Sequence, residues 1–515
     1  MTVTWKGTEG LLRLDPDDVM LFAGASGDVN PMHVSVEYAR TTPFGAPIAH
    51  GMLAVLAAVD GLAGLDGTGG REVPSGPDDG VAELSVDFRT PLLPGVRYPV
   101  RALAGRGVRR LQVRDGERVC MALSVRPAPQ RGGEPGPAPV QPRAAAAIWR
   151  PEQLREGLAV HGSYGPPAEA IAELGARFPV AVRRLGPLRL ACLLWSSYMA
   201  GMEIPGRAAL LCRVRLRFLD GTGPAAEGRP LRYAARIARV DKELGILTLR
   251  CDLDVDGGAV AEAEIDALTV WPIDGPDPDR LDELLPPSSA LAGRTAVVVG
   301  GSRGLGAALA LGLASQGCSV VIGHRGSGDR VAALAEWAAR AGGVIRSVTG
   351  DAGEPGWATA VLDELGHGAL DLLVCSAAPP PLNLPFEPAA LGRFGEFTAD
   401  TLRLVATPLA GLLPAVRPGH GCCLVVSTVA VESRPAGWPQ YVTAKAAVEG
   451  LWSWAAAQHR DVRFLVARPG MLLTDQMNTP MTRDEAGPVE PVAAALVTGM
   501  LTATPPPGTV QVLRP

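Results

Sequence analysis

Residues 295–306 read TAVVVGGSRGLG, and the succession of residue types in them decides the fold of the C-terminal half. Thr295–Val299 is a short β-branched and apolar run, the composition of a strand buried on both faces. Gly300, Gly304 and Gly306 follow where a strand has to turn into a helix, and GAALALGLASQG (306–317) carries helix formers up to a closing glycine. Working outward, CSVVIGHR (318–325) is a second strand and RVAALAEWAARAG (330–342) a second helix. DLLVCSA (371–377), GCCLVVST (421–428) and VRFLVARPG (462–470) repeat the buried-strand composition, spaced by helical sequence. Strands separated by helices call for parallel crossovers, so residues 291–515 are expected to form an α/β Rossmann-type, doubly wound parallel sheet.

The glycine loop has a chemical consequence. Without Cβ atoms at 300, 304 and 306, backbone N–H groups and the helix N-terminus can approach a pyrophosphate, with Ser302, Arg303 and Leu305 between them. The second strand ends in His324 and Arg325, with no Asp or Glu to accept from a ribose 2′-hydroxyl. That absence, with Arg303 inside the loop, favours the 2′-phosphate of NADP over NAD.

YVTAK (441–445) holds one of only three lysines in a chain that otherwise uses arginine, four residues after one of six tyrosines. Spaced so on a helix, Tyr441 and Lys445 share one face, where an ammonium can lower the phenol's pKa and let it exchange a proton with a carbonyl or alkoxide oxygen. With GGSRGLG, GDAG (350–353) and RPGMLLTD (468–475), residues 292–515 resemble a short-chain dehydrogenase/reductase of the 3-ketoacyl-acyl carrier protein reductase type. The resemblance implies an NADPH-linked reductase with Tyr441 as general acid and Lys445 holding the nicotinamide ribose. It implies Asp351 and Ala352 beside the adenine, Ala377 among the cofactor contacts, and Pro469, Gly470 and Thr474 along the nicotinamide. Thirteen residues before the tyrosine the family keeps a serine that polarises the substrate carbonyl; Thr428 stands there, with Ser427 as its neighbouring rival. CSAA (375–378) replaces the family's NNAG, and Thr401 stands where an asparagine of the proton relay is usual. A reductase-like half that is catalytically idle and serves binding or dimerisation is therefore the alternative. Reductases of this fold pair through the helices around the tyrosine, which implies a homodimer.

The N-terminal block carries a different constellation, in FAGASGDVNPMHVSVEYARTTPFGAPIAHGML (22–53). Asp28 and His33 sit across a Pro31 turn, and His50-Gly51 opens an apolar helix. The pair reads either as a structural hydrogen bond or as an acid and base acting on one substrate, with the Gly51 N–H aimed at a thioester oxygen. Ser26, Gly27, Asp28, Asn30, Pro31 and His33, followed by Phe44, Gly45 and Ile48–Met52, make this region similar to hot-dog-fold (R)-specific enoyl hydratases/dehydratases of MaoC type. The resemblance implies that Asp28 and His33 move the α-proton and the proton for the departing 3-hydroxyl, that Gly51 stabilises the enolate-like oxygen, and that Asn30 and His50 complete the site. No metal is expected there.

A central apolar helix followed by alternating strands occurs twice: HGMLAVLAAVDGLAG before VAELSVDFRTPLLPG, and LRLACLLWSSYMAGM before ALLCRVRLRFLDG. This predicts an α+β double hot-dog module, catalytic over 1–128 and degenerate over 149–272, since the second copy lacks the Asp/His motif. His161 is expected in a loop, and Trp195, Tyr198, Met199 and Met202 as core and tunnel lining. Gly/Pro-rich stretches near 127–148 and 272–291 read as linkers. A net charge of -5 without a basic run disfavours nucleic acid, and eight cysteines form no CxxC. The N-terminus lacks a signal-peptide pattern and no apolar segment reaches spanning length, so no membrane partner and a cytoplasmic location are expected. The substrate expected from both resemblances is a thioester of acyl carrier protein or CoA, reduced in one block and dehydrated in the other.

Overall fold

The computed structural model describes residues 3–6, 8–66, 80–103, 107–129, 136–219, 228–271, 273–326, 328–380 and 383–515. Part of the first expected linker (130–135) and the ends of two expected strands (104–105 and 220–221) lie outside the described residues. The chain divides into two compact units, Met1–Trp271 and Pro272–Pro515.

Among the described residues, eleven strands form one antiparallel sheet in the first unit: β1 (Val3–Lys6), β2 (Glu9–Arg13), β3 (Gly80–Phe88), β4 (Arg97–Leu103), β5 (Arg109–Asp115), β6 (Arg118–Ala128), β7 (Ala159–Tyr164), β8 (Ala209–Phe218), β9 (Leu231–Asp241), β10 (Ile246–Val255) and β11 (Gly258–Thr269). Their order is β1-β2-β4-β5-β6-β3-β8-β11-β10-β9-β7. Read outward from the β3–β8 seam, the two sides repeat each other, which is the duplication predicted from the helix-then-strands pattern. Each half supplies one long helix, Gly51–Asp66 and Pro179–Tyr198, and the two pack together under the sheet. The first can do so because it is apolar on every side: each residue from Met52 to Val59 is at most 2 % exposed. Strand β10 alternates buried and more exposed residues, as a strand with one face on a core must.

Among its described residues the second unit has seven parallel strands: β12 (Thr295–Val299), β13 (Ser319–His324), β14 (Val344–Thr349), β15 (Leu372–Cys375), β16 (Cys422–Val426), β17 (Arg463–Ala467) and β18 (Val510–Leu513), ordered β14-β13-β12-β15-β16-β17-β18. Helices Gly304–Ser315 and Val489–Thr502 bury one face of this sheet; Leu391–Leu412 and Pro439–Gln458 bury the other. The strand order reverses between β12 and β15, and such a reversal opens a crevice at the strands' C-terminal ends. The expected fold classes, an α+β hot-dog-like module followed by a Rossmann-type sheet, are those the chain adopts.

Two expectations change. The stretch 272–291 is not a bare linker: Asp277 caps the helix Pro278–Leu284, and Leu281, Leu285 and Leu291 enter the second unit's core. The two halves of the first unit share one sheet: β3 and β8 pair directly, and Arg213 reaches Asp87 across the seam at 2.6 Å. His161 is not in a loop but in β7, which pairs with β9; its neighbour Gly162 leaves room for the Tyr233 hydroxyl, 2.4 Å from where a Cβ would stand.

Candidate active sites

In the first unit the helix Pro16–Ser26 stops at Gly27, whose φ of 68° suits glycine, and the chain turns so that Asp28 points inward, 2 % exposed. Asn30 caps the next short turn by accepting from the Met32 N–H at 3.1 Å, which brings His33 back over Asp28. The His33 Nδ1 lies 2.8 Å from the Ile48 carbonyl oxygen. Only a protonated Nδ1 can donate there, so Nε2 carries the lone pair and is the base nitrogen. His50 donates from Nε2 to the Asp28 carbonyl oxygen at 2.9 Å, and its ring centroid lies 3.9 Å from that of His33.

The Asp28 carboxylate accepts from the Asn30 N–H at Oδ1 (3.2 Å) and from the Ser197 hydroxyl at Oδ2 (2.7 Å). Burial pushes the Asp28 carboxyl above its ordinary range, opposed by His33 and by these two hydrogen bonds. Burial draws His33 down and His50 well down, so both imidazoles are held neutral. One ligand-type atom from each of Asp28, His33 and His50 falls within 4.8 Å of the others. Gly51 opens the long helix, whose first N–H groups have no intrahelical acceptor. These residues line a cavity of ≈ 150 Å³ together with Phe88, Met121, Ser197 and Cys212. Phe88 presses so close on Gly51 that a Cβ there would lie 2.9 Å from its ring.

In the second unit the glycine loop follows β12. Gly300 has φ 78°, and a Cβ on it would lie 2.9 Å from the Ala377 backbone; one on Gly306 would lie 2.1 Å from the Gly300 carbonyl oxygen. Only hydrogen fits at either position, which lets strand and helix close on each other, while the Gly300 and Gly301 N–H groups donate to the Gly323 carbonyl oxygen of β13 at 3.1 and 3.2 Å. Ser302 and Leu305 are buried in the same turn, and Gly304 (φ 52°) lies against Thr474, where a Cβ would meet its methyl at 3.1 Å. Arg303 lies 3.7 Å from Asp475, and Arg325 lies 3.8 Å from Asp351, whose other oxygen takes the Gly353 N–H. Ala352 is buried beside it. Pro469 accepts from the Val429 N–H at 3.1 Å, next to Thr428, and Gly470 follows it exposed.

The Thr428 hydroxyl hydrogen-bonds the Tyr441 phenol, whereas Ser427 donates to Glu449 at 2.5 Å. The Lys445 ammonium donates to the Val426 carbonyl oxygen at 2.8 Å and lies 5.9 Å from the Tyr441 ring. Burial lowers Lys445 to about 8, and burial rather than the ammonium governs Tyr441, which lies above its ordinary value. The expected lowering of the phenol by Lys445 is not seen: desolvation of the ring raises it, and the opposing pull comes from the Thr428 hydrogen bond.

Residues 294–486 match the family model described as short chain dehydrogenase. A 3-oxoacyl-[acyl-carrier-protein] reductase, FabG, of Staphylococcus aureus is 30% identical over 198 residues, 35% of this chain and 76% of the reductase. The chain belongs to the short chain dehydrogenase family. Ahead of that part, residues 2–119 match the MaoC like domain, so a MaoC-like dehydratase domain is fused to a short chain dehydrogenase domain. An (R)-specific enoyl-CoA hydratase of Rhodospirillum rubrum is 55% identical over 40 residues, 8% of this chain; the match spans 28% of the hydratase's length. Among solved structures, a short chain dehydrogenase from Burkholderia cenocepacia in complex with NADP is 24% identical over 44% of this chain and 98% of its own, with a TM-score of 0.39.

Within the MaoC-like part, the expected lining residues need correction. Trp195, Tyr198, Met199 and Met202 are buried core, but the cavity is lined by Ser197, Ala200 and Gly201, on the other side of the same segment. Residue pattern carries no signal for Ser197, since a serine in an apolar helix ordinarily bonds its own backbone. In the dehydrogenase part, Thr401 is buried and donates to the Phe397 carbonyl oxygen of its own helix at 2.8 Å. Among the described residues, no helix is long and apolar enough to cross a membrane.

Proposed function

We propose that the chain is a bifunctional enzyme that reduces a 3-ketoacyl thioester with NADPH and dehydrates the resulting 3-hydroxyacyl thioester to the trans-2-enoyl product. The reading is supported above all by the convergence of Asp28, His33 and the Gly51 helix start on one small cavity. The neutral His33 Nε2 takes the α-proton, the Asp28 carboxyl protonates the departing 3-hydroxyl, and the Gly51 N–H holds the thioester oxygen as it becomes negative. Burial favours the uncharged form of both groups, so one shared proton suffices and returns to the pair after each turnover. No metal is required by this scheme, and treatment with EDTA is expected to leave hydration unchanged.

For the reductase step the glycine cradle at 300 and 306 and the arginines at 303 and 325 suit NADPH, which supplies the hydride when bound. Tyr441 gives its proton to the substrate oxygen, Thr428 holds that oxygen, and Lys445 supports the ribose. The acyl handle is acyl carrier protein or CoA, as in the matched reductase and hydratase. Hydration of crotonyl-CoA tests the first half. Asp28→Asn is expected to lower it at least about 100-fold while ketone-dependent NADPH oxidation persists; unchanged hydration in that variant would falsify the assignment.

A second reading, an idle reductase half, is favoured by one observation: Thr401 spends its hydroxyl inside its helix, where the family has a relay asparagine. NADPH binding by fluorescence without any acetoacetyl-CoA-dependent oxidation would select it.

A further inference from the structure

We propose that Ser197 and the turn after it, contributed by the second half of the duplicated sheet, are positioning elements that hold the Asp28 carboxylate for catalysis. The inference rests on the dehydratase reading of Asp28 and goes beyond it by giving the motif-less half a task at the reacting end of the cavity.

Two adjacent serines in the helix Pro179–Tyr198 behave differently. Ser196 donates to the Leu193 carbonyl oxygen of its own helix at 2.7 Å, the usual way for a helix serine to satisfy its hydroxyl. Ser197, equally buried, instead donates at 2.7 Å to Oδ2 of a residue 169 positions away. Immediately afterwards the helix widens into a π-helical turn, Met199–Glu203, a local distortion that recurs at functional sites. The turn carries Gly201 against the carboxylate: a Cβ there would stand 2.3 Å from Oδ1 and 2.7 Å from Cγ and Oδ2. Gly201 has no positive φ, so space for Asp28, not backbone conformation, demands the glycine. The carbonyl oxygens of Gly201 and Gly206 each accept from the Asn30 amide at 3.1 Å, and Tyr164 donates to the Ser26 carbonyl oxygen at 2.9 Å. The whole catalytic turn 26–30 is therefore gripped from the second half.

The titratable groups facing Asp28 are His33, His50, with Nε2 4.0 Å from Oδ2, and Tyr164. Among these neighbours Ser197 is the hydroxyl donor to the carboxylate. Its removal frees one oxygen to rotate and withdraws a hydrogen bond that favours the ionised form, so Asp28 should then hold its proton to higher pH.

The test uses the full chain and crotonyl-CoA hydration across pH. In Ser197→Ala, kcat is expected to fall about tenfold with KM nearly unchanged, and the alkaline limb to move up by about one pH unit, the effect of losing one hydrogen bond to a charged group. Ser197→Thr, which keeps the hydroxyl, should restore the limb. Titration of 13C-labelled aspartate, with the Asp28 signal identified by its loss in Asp28→Asn, reads the same shift without turnover. Gly201→Ala should abolish hydration while circular dichroism shows the fold retained. An unmoved limb and an unmoved Asp28 titration in folded Ser197→Ala overturn the proposal, as does full activity in Gly201→Ala. Undiminished hydration in Asp28→Asn would instead sink the dehydratase reading, with the carboxyl titration still deciding whether Ser197 holds Asp28.

Discussion

Thr428 and Ser427 are adjacent hydroxyls that the sequence leaves as rivals, and their partners separate them. Ser427 is tied to Glu449, which in turn takes Arg468, while Thr428 bonds the Tyr441 phenol. Thr428→Val is accordingly expected to cut ketone-dependent NADPH oxidation by about 10- to 100-fold, and Ser427→Ala to leave kcat within about twofold while lowering the melting temperature. Steady-state kinetics and thermal unfolding of the two variants check this. That Asp28, His33, His50 and Gly51 come together on one cavity was legible because their spacing is local and each residue type has a chemical reason to be there. Ser197 was not, because its partner is 169 residues away and nothing in an apolar helix distinguishes it from Ser196. The same blindness applied to desolvation: the Tyr441–Lys445 spacing shows which groups share a helix face, but not that burial raises the phenol with Thr428, not the ammonium, opposing it.

Helices, strands and turns were read from period and composition, and those that failed did so through tertiary partners. The Pro278–Leu284 helix hid in a proline-rich stretch because only its packing of Leu281 into the core, with the Asp277 cap, stabilises it. His161 looked like a loop residue because β7 is a short edge strand with a glycine in it. At the glycine turn the physics is steric: Gly306→Ala places a methyl against the Gly300 carbonyl and is expected to cost about 1–3 kcal/mol and to abolish NADPH binding, checked by urea unfolding and nucleotide fluorescence. At the start of the first central helix it is electrostatic. His50 is neutral in the folded state, with its pKa below the ordinary 6.5, so the folded state binds fewer protons than the unfolded one. Its stabilising contribution is present above 6.5 and is lost as pH falls through the lowered value, at up to about 1.4 kcal/mol per pH unit. Urea titrations should show that slope in the wild type and a shallower one in His50→Gln.

Across the whole molecule, the duplication joins halves with unequal tasks: one carries the acid–base motif, and the other is proposed to grip it. The two fold classes were legible from patterning alone, the continuity of the eleven-stranded sheet was not, because the β3–β8 pairing joins strands far apart in sequence. Reduction of a 3-ketoacyl thioester yields the 3-hydroxyacyl compound that a dehydratase consumes, so the two activities proposed for the fused domains are consecutive. The most direct measurement is mass spectrometry of the acyl group after incubating acetoacetyl thioester and NADPH with wild type, Tyr441→Phe and Asp28→Asn. The wild type should accumulate the enoyl product, Asp28→Asn should stop at the 3-hydroxyacyl stage, and Tyr441→Phe should return the ketone untouched. Enoyl product from Asp28→Asn, or unconsumed ketone with the wild type, would contradict a two-step enzyme.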